Sequence, residues 1–330
     1  PPSERPQLYK EAVVETSGPA APDESPVYEL SDISIVSKRV QKHPEGMAFS
    51  ATPRSETDSQ PTRTMKESME SLPGVILRSA NGPRDFGVSI RGSGVKTTGV
   101  VRDLKFYEDG IGETQSDGFS RLDMHDPWFM QSVEVTRGAS SSLYDNAALG
   151  GMIHFKTRRG SDLNGLETFF SGGSYGYQKY AFGIGKEYGD VDVALFASQV
   201  AEDGYIRRSN YDTQTVNLNF RFTLGDKDNF YVKAVSNALN ANVPTRLTLA
   251  QFNADHRQTG GTGPGNDAAR LGQRRHDRRT IVGGMYERQI DASTVFTLEA
   301  DYDVRDINQT FTQINDAFYP NFKGYADLRH

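Results

Sequence analysis

From Leu166 onward the chain alternates apolar and polar residues with a period of two. The clearest run is Thr215 to Leu224, where Val216, Leu218, Phe220, Phe222 and Leu224 oppose Thr215, Asn217, Asn219, Arg221 and Thr223. A second run, Thr294 to Arg305, sets Phe296, Leu298, Ala300, Tyr302 and Val304 against Thr297, Glu299, Asp301, Asp303 and Arg305, and Val191, Val193, Leu195 and Ala197 make a shorter stripe. Successive side chains of a strand point to opposite faces, so this period predicts strands with one oily and one polar face. Tight turns are predicted at Gly189-Asp190, Gly225-Asp226 and Ile290-Asp291, and long polar connections at Ala201 to Asp212, Leu239 to Arg278, and from Asn308 onward. Short turns at one end and long loops at the other fit a transmembrane antiparallel β-barrel. A strand of about 10 residues tilted by about 45° covers roughly 24 Å, the height of an apolar membrane band. A soluble sandwich with one packed face is the alternative; five apolar residues in register opposite five polar ones, arginine included, favour the barrel. About seven strands are expected, too few to close a barrel around a folded domain. Leu328 to His330 fall in what reads as a loop, so the rest of the barrel is expected outside this chain.

Upstream the periodicity is different. Residues 61–160 read as a mixed α+β domain with long loops. Thr64 to Leu72 predicts a short helix with Thr62 or Thr64 as N-cap, Glu67 or Glu70 early in it, and Pro73-Gly74 as its stop. Short strands are predicted at Gly87 to Arg91, Leu104 to Tyr107, Val133 to Thr136 and Met152 to Thr157, separated by Gly, Asp and Ser turns. Residues 1–60 are rich in Pro, Ser, Glu and Thr and read as a flexible arm. One β-prone island interrupts them, Ile33-Ser34-Ile35-Val36, preceded by Asp32.

Composition narrows the classes. With 36% hydrophobic residues and no apolar run of eighteen, the chain is not a helical membrane protein, whereas barrel strands are apolar only on alternate residues. The 32 glycines suit turns, and the 15 tyrosines and 18 phenylalanines suit strands and aromatic girdles. A formal net charge of -6 argues against a nucleic-acid partner. The absence of cysteine excludes disulfides and thiolate metal sites. No secretory signal is legible at Pro1-Pro2-Ser3-Glu4, as expected of a processed secreted chain and equally of a cytoplasmic one.

Three segments carry a resemblance. The first is Ser71-Leu72-Pro73-Gly74-Val75, then Val88-Ser89-Ile90-Arg91-Gly92. The second is Leu104-Lys105-Phe106-Tyr107-Glu108-Asp109-Gly110. The third is Val133-Glu134-Val135-Thr136-Arg137-Gly138, running on to Leu143-Tyr144 and to Gly150-Gly151-Met152-Ile153. In this order, ahead of barrel strands, they resemble the plug domain of TonB-dependent outer-membrane receptors of the siderophore and ferric-chelate type. Asp145 departs from the family's glycine and puts a local turn in doubt. Lys105 to Gly110, with Ser116-Asp117-Gly118 and Asp126-Pro127, looks closest to the ferric-citrate and small-chelate branch. The implied fold is an α+β plug domain inside a transmembrane antiparallel β-barrel, with about 22 strands in the family and about the first seven in this chain. The implied organisation is a periplasmic arm over 1–60, the plug over 61–160 and the first barrel strands over 161–330.

The resemblance also implies function: TonB-dependent uptake of a scarce anionic ligand such as a ferric chelate across the bacterial outer membrane, with no enzymatic activity and no cofactor. The partners implied are TonB with ExbB and ExbD, the ligand, and outer-membrane lipid and lipopolysaccharide. Asp32, Ile33, Ser34, Ile35 and Val36 are similar to the TonB box, an extended segment that adds as a strand to a partner's sheet edge; Ala12 to Thr16 is a rival, and a passive arm is a third reading. Arg91, Glu134 and Arg137 are candidates for ion pairs locking plug to barrel, or for pairs within the plug alone. Arg84, Gln115 and Arg121 lie in plug loops suited to an anionic chelate. Arg270, Arg274, Arg275, Arg278 and Arg279 form a basic stretch in the longest predicted loop, facing a chelate or lipopolysaccharide phosphate, or merely solvated. His125, His154, His256 and His276 show no metal-ligand spacing, and no nucleophile or phosphate-loop signature stands out. An outer-membrane scaffold that no longer transports is the alternative from another class, and a soluble β-rich binding protein is a third.

Overall fold

The computed structural model describes residues 48–79, 86–94, 101–115, 118–138, 148–260, 268–310 and 314–329. Eight short strands come first: β1 (Ala48–Pro53), β2 (Val75–Ser79), β3 (Phe86–Ile90), β4 (Ser93–Gly94), β5 (Leu104–Glu108), β6 (Ile111–Gly112), β7 (Met130–Arg137) and β8 (Gly151–Thr157). They form a five-stranded sheet in the order β1-β7-β8-β5-β6 and a three-stranded sheet β2-β3-β4. Among the described strands, only β5 and β8 pair in parallel. The helix Met65–Met69 begins at Thr64, whose side chain accepts from the Lys66 amide while Glu67 Oε2 accepts from the Thr64 amide at 2.8 Å. This reciprocal cap satisfies donors that a first helical turn otherwise leaves bare. Met65, Met69, Leu72, Val88, Ile90, Leu104, Phe106, Val135 and Ile153 share one buried core.

Strand β1 lies within the stretch that composition reads as arm. It pairs antiparallel with β7 from Ala48↔Arg137 to Pro53↔Ser132. Only Thr52 of the strand is buried, so no apolar alternation announced it; backbone pairing holds it at the edge. Gly151, at the start of β8, has φ +137°, and a Cβ there would lie 2.3 Å from the Thr136 carbonyl oxygen. Glycine is therefore required where β8 meets β7.

The second half is one antiparallel meander: β9 (Gly165–Gly172), β10 (Gln178–Tyr188), β11 (Val191–Glu202), β12 (Tyr211–Leu224), β13 (Asp228–Asn242), β14 (Arg274–Gln289), β15 (Val295–Thr310) and β16 (Ile314–Arg329). The described strands number eight rather than about seven. β16 replaces the loop expected after Asn308; Pro320 and Gly324 interrupt its outward stripe, so its alternation was hard to read. β13 and β14 also run further than expected and shorten the long connection to residues 243–273. The three tight turns fall where the sequence placed them.

Burial along these strands is inverted relative to a water-soluble sheet. Val216 and Leu298 are 45% and 48% exposed, whereas Asn217 and Asp301 are 1% and 3% exposed. The polar face is covered by the first domain and the apolar face is bare. In water that arrangement would leave a large apolar surface unsatisfied. Lipid satisfies it, and backbone groups inside each strand pair are already paired.

Candidate functional site

The polar face of the meander meets the plug at a set of buried charges. The β5–β6 turn carries them there: Asp109 and Gly110 adopt φ 50° and 92°, which turns Glu108 and Asp109 onto the wall. Lys233 of β13 places Nζ 2.6 Å from Glu108 Oε1 and 2.6 Å from Asp109 Oδ2. Asn217 of β12 donates to Glu108 Oε1, and the Thr157 amide donates to Asp109 Oδ1 at 2.9 Å. The Tyr231 hydroxyl lies 3.1 Å from Asp109 Oδ2 and 2.9 Å from Asn219 Oδ1. Burial pushes the Asp109 carboxyl up, but the charges of Lys233 and Arg221 outweigh it and hold the carboxyl well below its usual range.

A second group sits beside it. His125 Nε2 lies 2.7 Å from Glu113 Oε2 and 3.3 Å from Glu108 Oε2, all three side chains being sealed from solvent. Arg279 of β14 donates to the Glu113 carbonyl at 2.6 Å and forms a forked pair with Asp303 of β15, Nη2 to Oδ2 at 2.7 Å. Further along, Arg275 joins Asp123 of the plug to Asp277, Arg305 Nε donates to Asp277 Oδ1 at 2.8 Å, and Arg305 Nη1 donates to Gln115 Oε1 at 3.0 Å. Lys323 of β16 reaches the Gly112 carbonyl at 2.6 Å and Asp301 at 2.9 Å. Charges on β13 to β16 thus meet the plug at Glu108, Asp109, Gly112, Glu113, Gln115 and Asp123.

On β9 to β11 the wall is mixed, with an apolar patch of Phe169, Ala181, Ala194 and Phe196 beside Lys179, Asp192 and Ser198. Trp128, capped by Asp126 at the start of the 3-10 turn Pro127–Phe129, stacks on Phe169 at 6.0 Å and meets Phe196 edge-on at 6.1 Å. Arg158 lies over the Trp128 ring at 4.5 Å. Lys179 pairs with Asp126 at 2.5 Å and Ser198 hydrogen-bonds its other oxygen at 2.6 Å. The backbone comes close here too: a Cβ at Gly183 would lie 2.8 Å from the Phe196 ring.

The residues singled out from sequence are distributed as follows. Glu134 pairs with Lys156 at 2.5 Å and contacts His154 at 3.7 Å, all on β7 and β8. Arg137 hydrogen-bonds Ser50 of β1, and Arg91 is exposed with φ 49°. The contacts described for Glu134 and Arg137 are therefore within the plug, while Asp109, Asp123 and Asp126 carry charge to the barrel. Gln115 and Arg121 lie close to that outer network, Arg121 standing 3.9 Å from Asp123. Arg84 and Asp32 to Val36 lie outside the described residues. Arg274 to Arg279 belong to β14 rather than a loop; Arg275 and Arg279 face the plug and are buried, Arg274 and Arg278 are exposed. His125 gains its partners through tertiary folding, which local spacing did not reveal; the run Glu108, Glu113 and His125 along one plug segment was the available signal.

Comparison with known proteins follows this geometry. Residues 45–152 match the family model of the TonB-dependent Receptor Plug Domain. A hemin receptor of Yersinia enterocolitica is 29% identical over 171 residues, 48% of this chain and 23% of that receptor. A ferrioxamine receptor of the same organism is 26% identical over 113 residues, 34% of this chain and 15% of that receptor. Among solved structures, the ferric yersiniabactin uptake receptor FyuA of Yersinia pestis superposes with a TM-score of 0.67 at 16% identity, over 86% of this chain and 45% of that one. The unliganded ferric citrate transporter FecA gives 0.65 at 18% identity, over 84% and 42%. The match spans less than half the length of each of these relatives.

Proposed function

We propose that this chain, which belongs to the TonB-dependent receptors by its plug domain and the barrel sheet around it, serves in the uptake of a ferric chelate or similar scarce anionic molecule across the bacterial outer membrane. The family consists of transport receptors, not enzymes. The observation that carries the reading is the plug covering the polar face of a membrane sheet through paired charges. A barrel wide enough for a metal chelate is closed by such a domain, and hydrogen-bonded charges give it a defined seat.

In this reading the arm ahead of β1 reaches TonB, energised by ExbB and ExbD, through Asp32, Ile33, Ser34, Ile35 and Val36. These add as a strand to the partner's sheet. Arg84, Gln115 and Arg121 meet the ligand, and Arg121 beside Arg275 and Arg305 gives that region the positive charge an anionic chelate requires. Glu134 and Arg137 fix the plug's own sheet, and with Arg91 they are the residues assigned to the lock. Exposed basic residues Arg274 and Arg278 face lipopolysaccharide phosphate. The names of the relatives, hemin and ferrioxamine receptors among them, support iron chelates as the ligand class.

The test is uptake of radio-iron as its citrate chelate by cells carrying the full-length gene. Proline at Ile35 removes an amide donor from the added strand. Uptake above background in wild type and its abolition in Ile35→Pro are expected, with surface binding of the chelate retained. Uptake unaffected by the substitution removes the coupling role; no binding in wild type removes the ligand class.

A further inference from the structure

The Glu108, Glu113 and His125 group goes beyond what transport requires. One donor atom from each lies within 4.8 Å of the others. The two glutamates come from either side of the β5–β6 hairpin and the histidine from the segment leading into the 3-10 turn. Glu108 Oε1 is held by Asn217 and Lys233. Its other oxygen, and both oxygens of Glu113, are sealed from solvent, and the His125 nitrogen that stands 2.7 and 3.3 Å from two of them lies outside hydrogen-bond geometry. Buried carboxylate oxygens without donors are rare and call for an unseen partner.

Charge points the same way. Lys233 faces two carboxylates, Glu108 and Asp109. Arg279 is paired to Asp303 and reaches only the backbone of Glu113. Among the described residues no lysine or arginine forms an ion pair with the Glu113 carboxylate. A buried carboxylate with no lysine or arginine paired to it carries a large desolvation penalty, which a bound cation relieves.

We propose that Glu108, Glu113 and His125 bind one divalent transition-metal cation of the Zn2+ or Mn2+ kind between plug and barrel. Two carboxylates and one imidazole are a hard-to-borderline donor set that suits these ions and not thiophilic ones. Bonds of about 2.0–2.2 Å to such an ion set neighbouring donors roughly 3 Å apart, and the His125 Nε2 separations of 2.7 and 3.3 Å straddle that spacing. The ligands are supported from behind: Asn217 and Lys233 orient Glu108, Arg279 anchors the Glu113 backbone, and the His125 ring packs on Phe155 at 4.0 Å. Such outer partners are what fixes a metal site. Three protein ligands leave a position for water. The ion ties the β5–β6 hairpin to the 3-10 segment and so stiffens the part of the plug that carries Asp109 and Asp126 to the wall.

The experiment is calorimetric titration of Zn2+ into the full-length protein, purified in detergent, freed of any affinity tag and stripped with a chelator. One equivalent is expected to bind, and His125→Gln and Glu113→Gln are each expected to weaken binding at least about tenfold. No binding by wild type, or unchanged affinity in either folded variant, overturns the site. Should the variants not fold, X-ray absorption of the one-equivalent Zn2+ complex of wild type decides: one imidazole among oxygen donors is expected, and an all-oxygen or multi-histidine shell overturns it. None of these readouts depends on ligand uptake or on TonB, so the transport reading stands or falls separately.

Discussion

Asp109 of the plug and Lys233 of the barrel wall meet at 2.6 Å, carboxylate oxygen to ammonium nitrogen, with both side chains closed off from solvent. Removing one partner of such a pair leaves the other charged and buried, at roughly 3–5 kcal/mol. Lys233→Met is therefore expected to loosen the plug by that order, because Glu108 and Asp109 both lose their cation. Urea titration of the detergent-solubilised protein, followed by protease cleavage of the plug, measures it. Asp109→Asn combined with Lys233→Met is expected to recover part of the loss; strict additivity of the two would show that the pair is not coupled.

Trp128 is the chain's single tryptophan, and it is enclosed by Phe129, Phe169, Phe196 and Arg158. The fluorescence of this residue therefore reports the plug–barrel contact. Blue-shifted emission is expected in the folded protein, moving to the red when the plug leaves the wall. Trp128→Ala is expected to destabilise the plug by about 3–5 kcal/mol.

Glu134 gives the plug an acid limit. Burial pushes its carboxyl up, but the nearby His154 imidazole, with Lys156, outweighs this and brings it to about 2, below the ordinary 4.5. A group whose folded value is depressed contributes stability that is full above the unfolded value and is lost as pH falls through the folded one. The contribution, at most about 3 kcal/mol, should vanish between about pH 4.5 and 2. Glu134→Gln is expected to flatten the pH dependence of plug unfolding across that window; an unchanged slope would refute the assignment.

The outward stripe is testable at Val216, which is 45% exposed on β12. Val216→Arg is expected to cost about 2–4 kcal/mol near the bilayer middle, read as lost folding into lipid vesicles. A soluble sheet would tolerate arginine at a half-exposed position, so wild-type folding of this variant would sink the membrane orientation.

At Gly151 any side chain would collide with the Thr136 carbonyl in a backbone conformation with φ +137°. Gly151→Ala is expected to destabilise the plug by more than about 1–3 kcal/mol, measured by the same urea titration.

The barrel strands were legible because lipid leaves a simple imprint: Val216 to Leu224 and Phe296 to Val304 alternate without a break. The Thr64 cap was legible for a similar reason, its Ser/Thr-to-Glu spacing being local. β16 was missed where Pro320 and Gly324 break the outward stripe, and β1 because an exposed edge strand needs no side-chain pattern. The interface was least legible. Arg275 and Arg279 read as part of a basic loop, yet strand geometry sends alternate members of that run inward to Asp123, Asp277 and Asp303. Which carboxylate of the plug meets which cation depends on contacts more than a hundred residues apart, as with Asp109 and Lys233.

Strand β1 has six registered pairs with β7, and the chain enters it at the Ala48↔Arg137 end. A tug delivered from the N-terminal side therefore arrives first at that terminal rung. Directed across the sheet, it peels the rungs in succession, each resisting alone. Directed along the strand, it shears all of them at once. The plug is thus mechanically anisotropic: it yields to a small load from one bearing and withstands a far larger one from another.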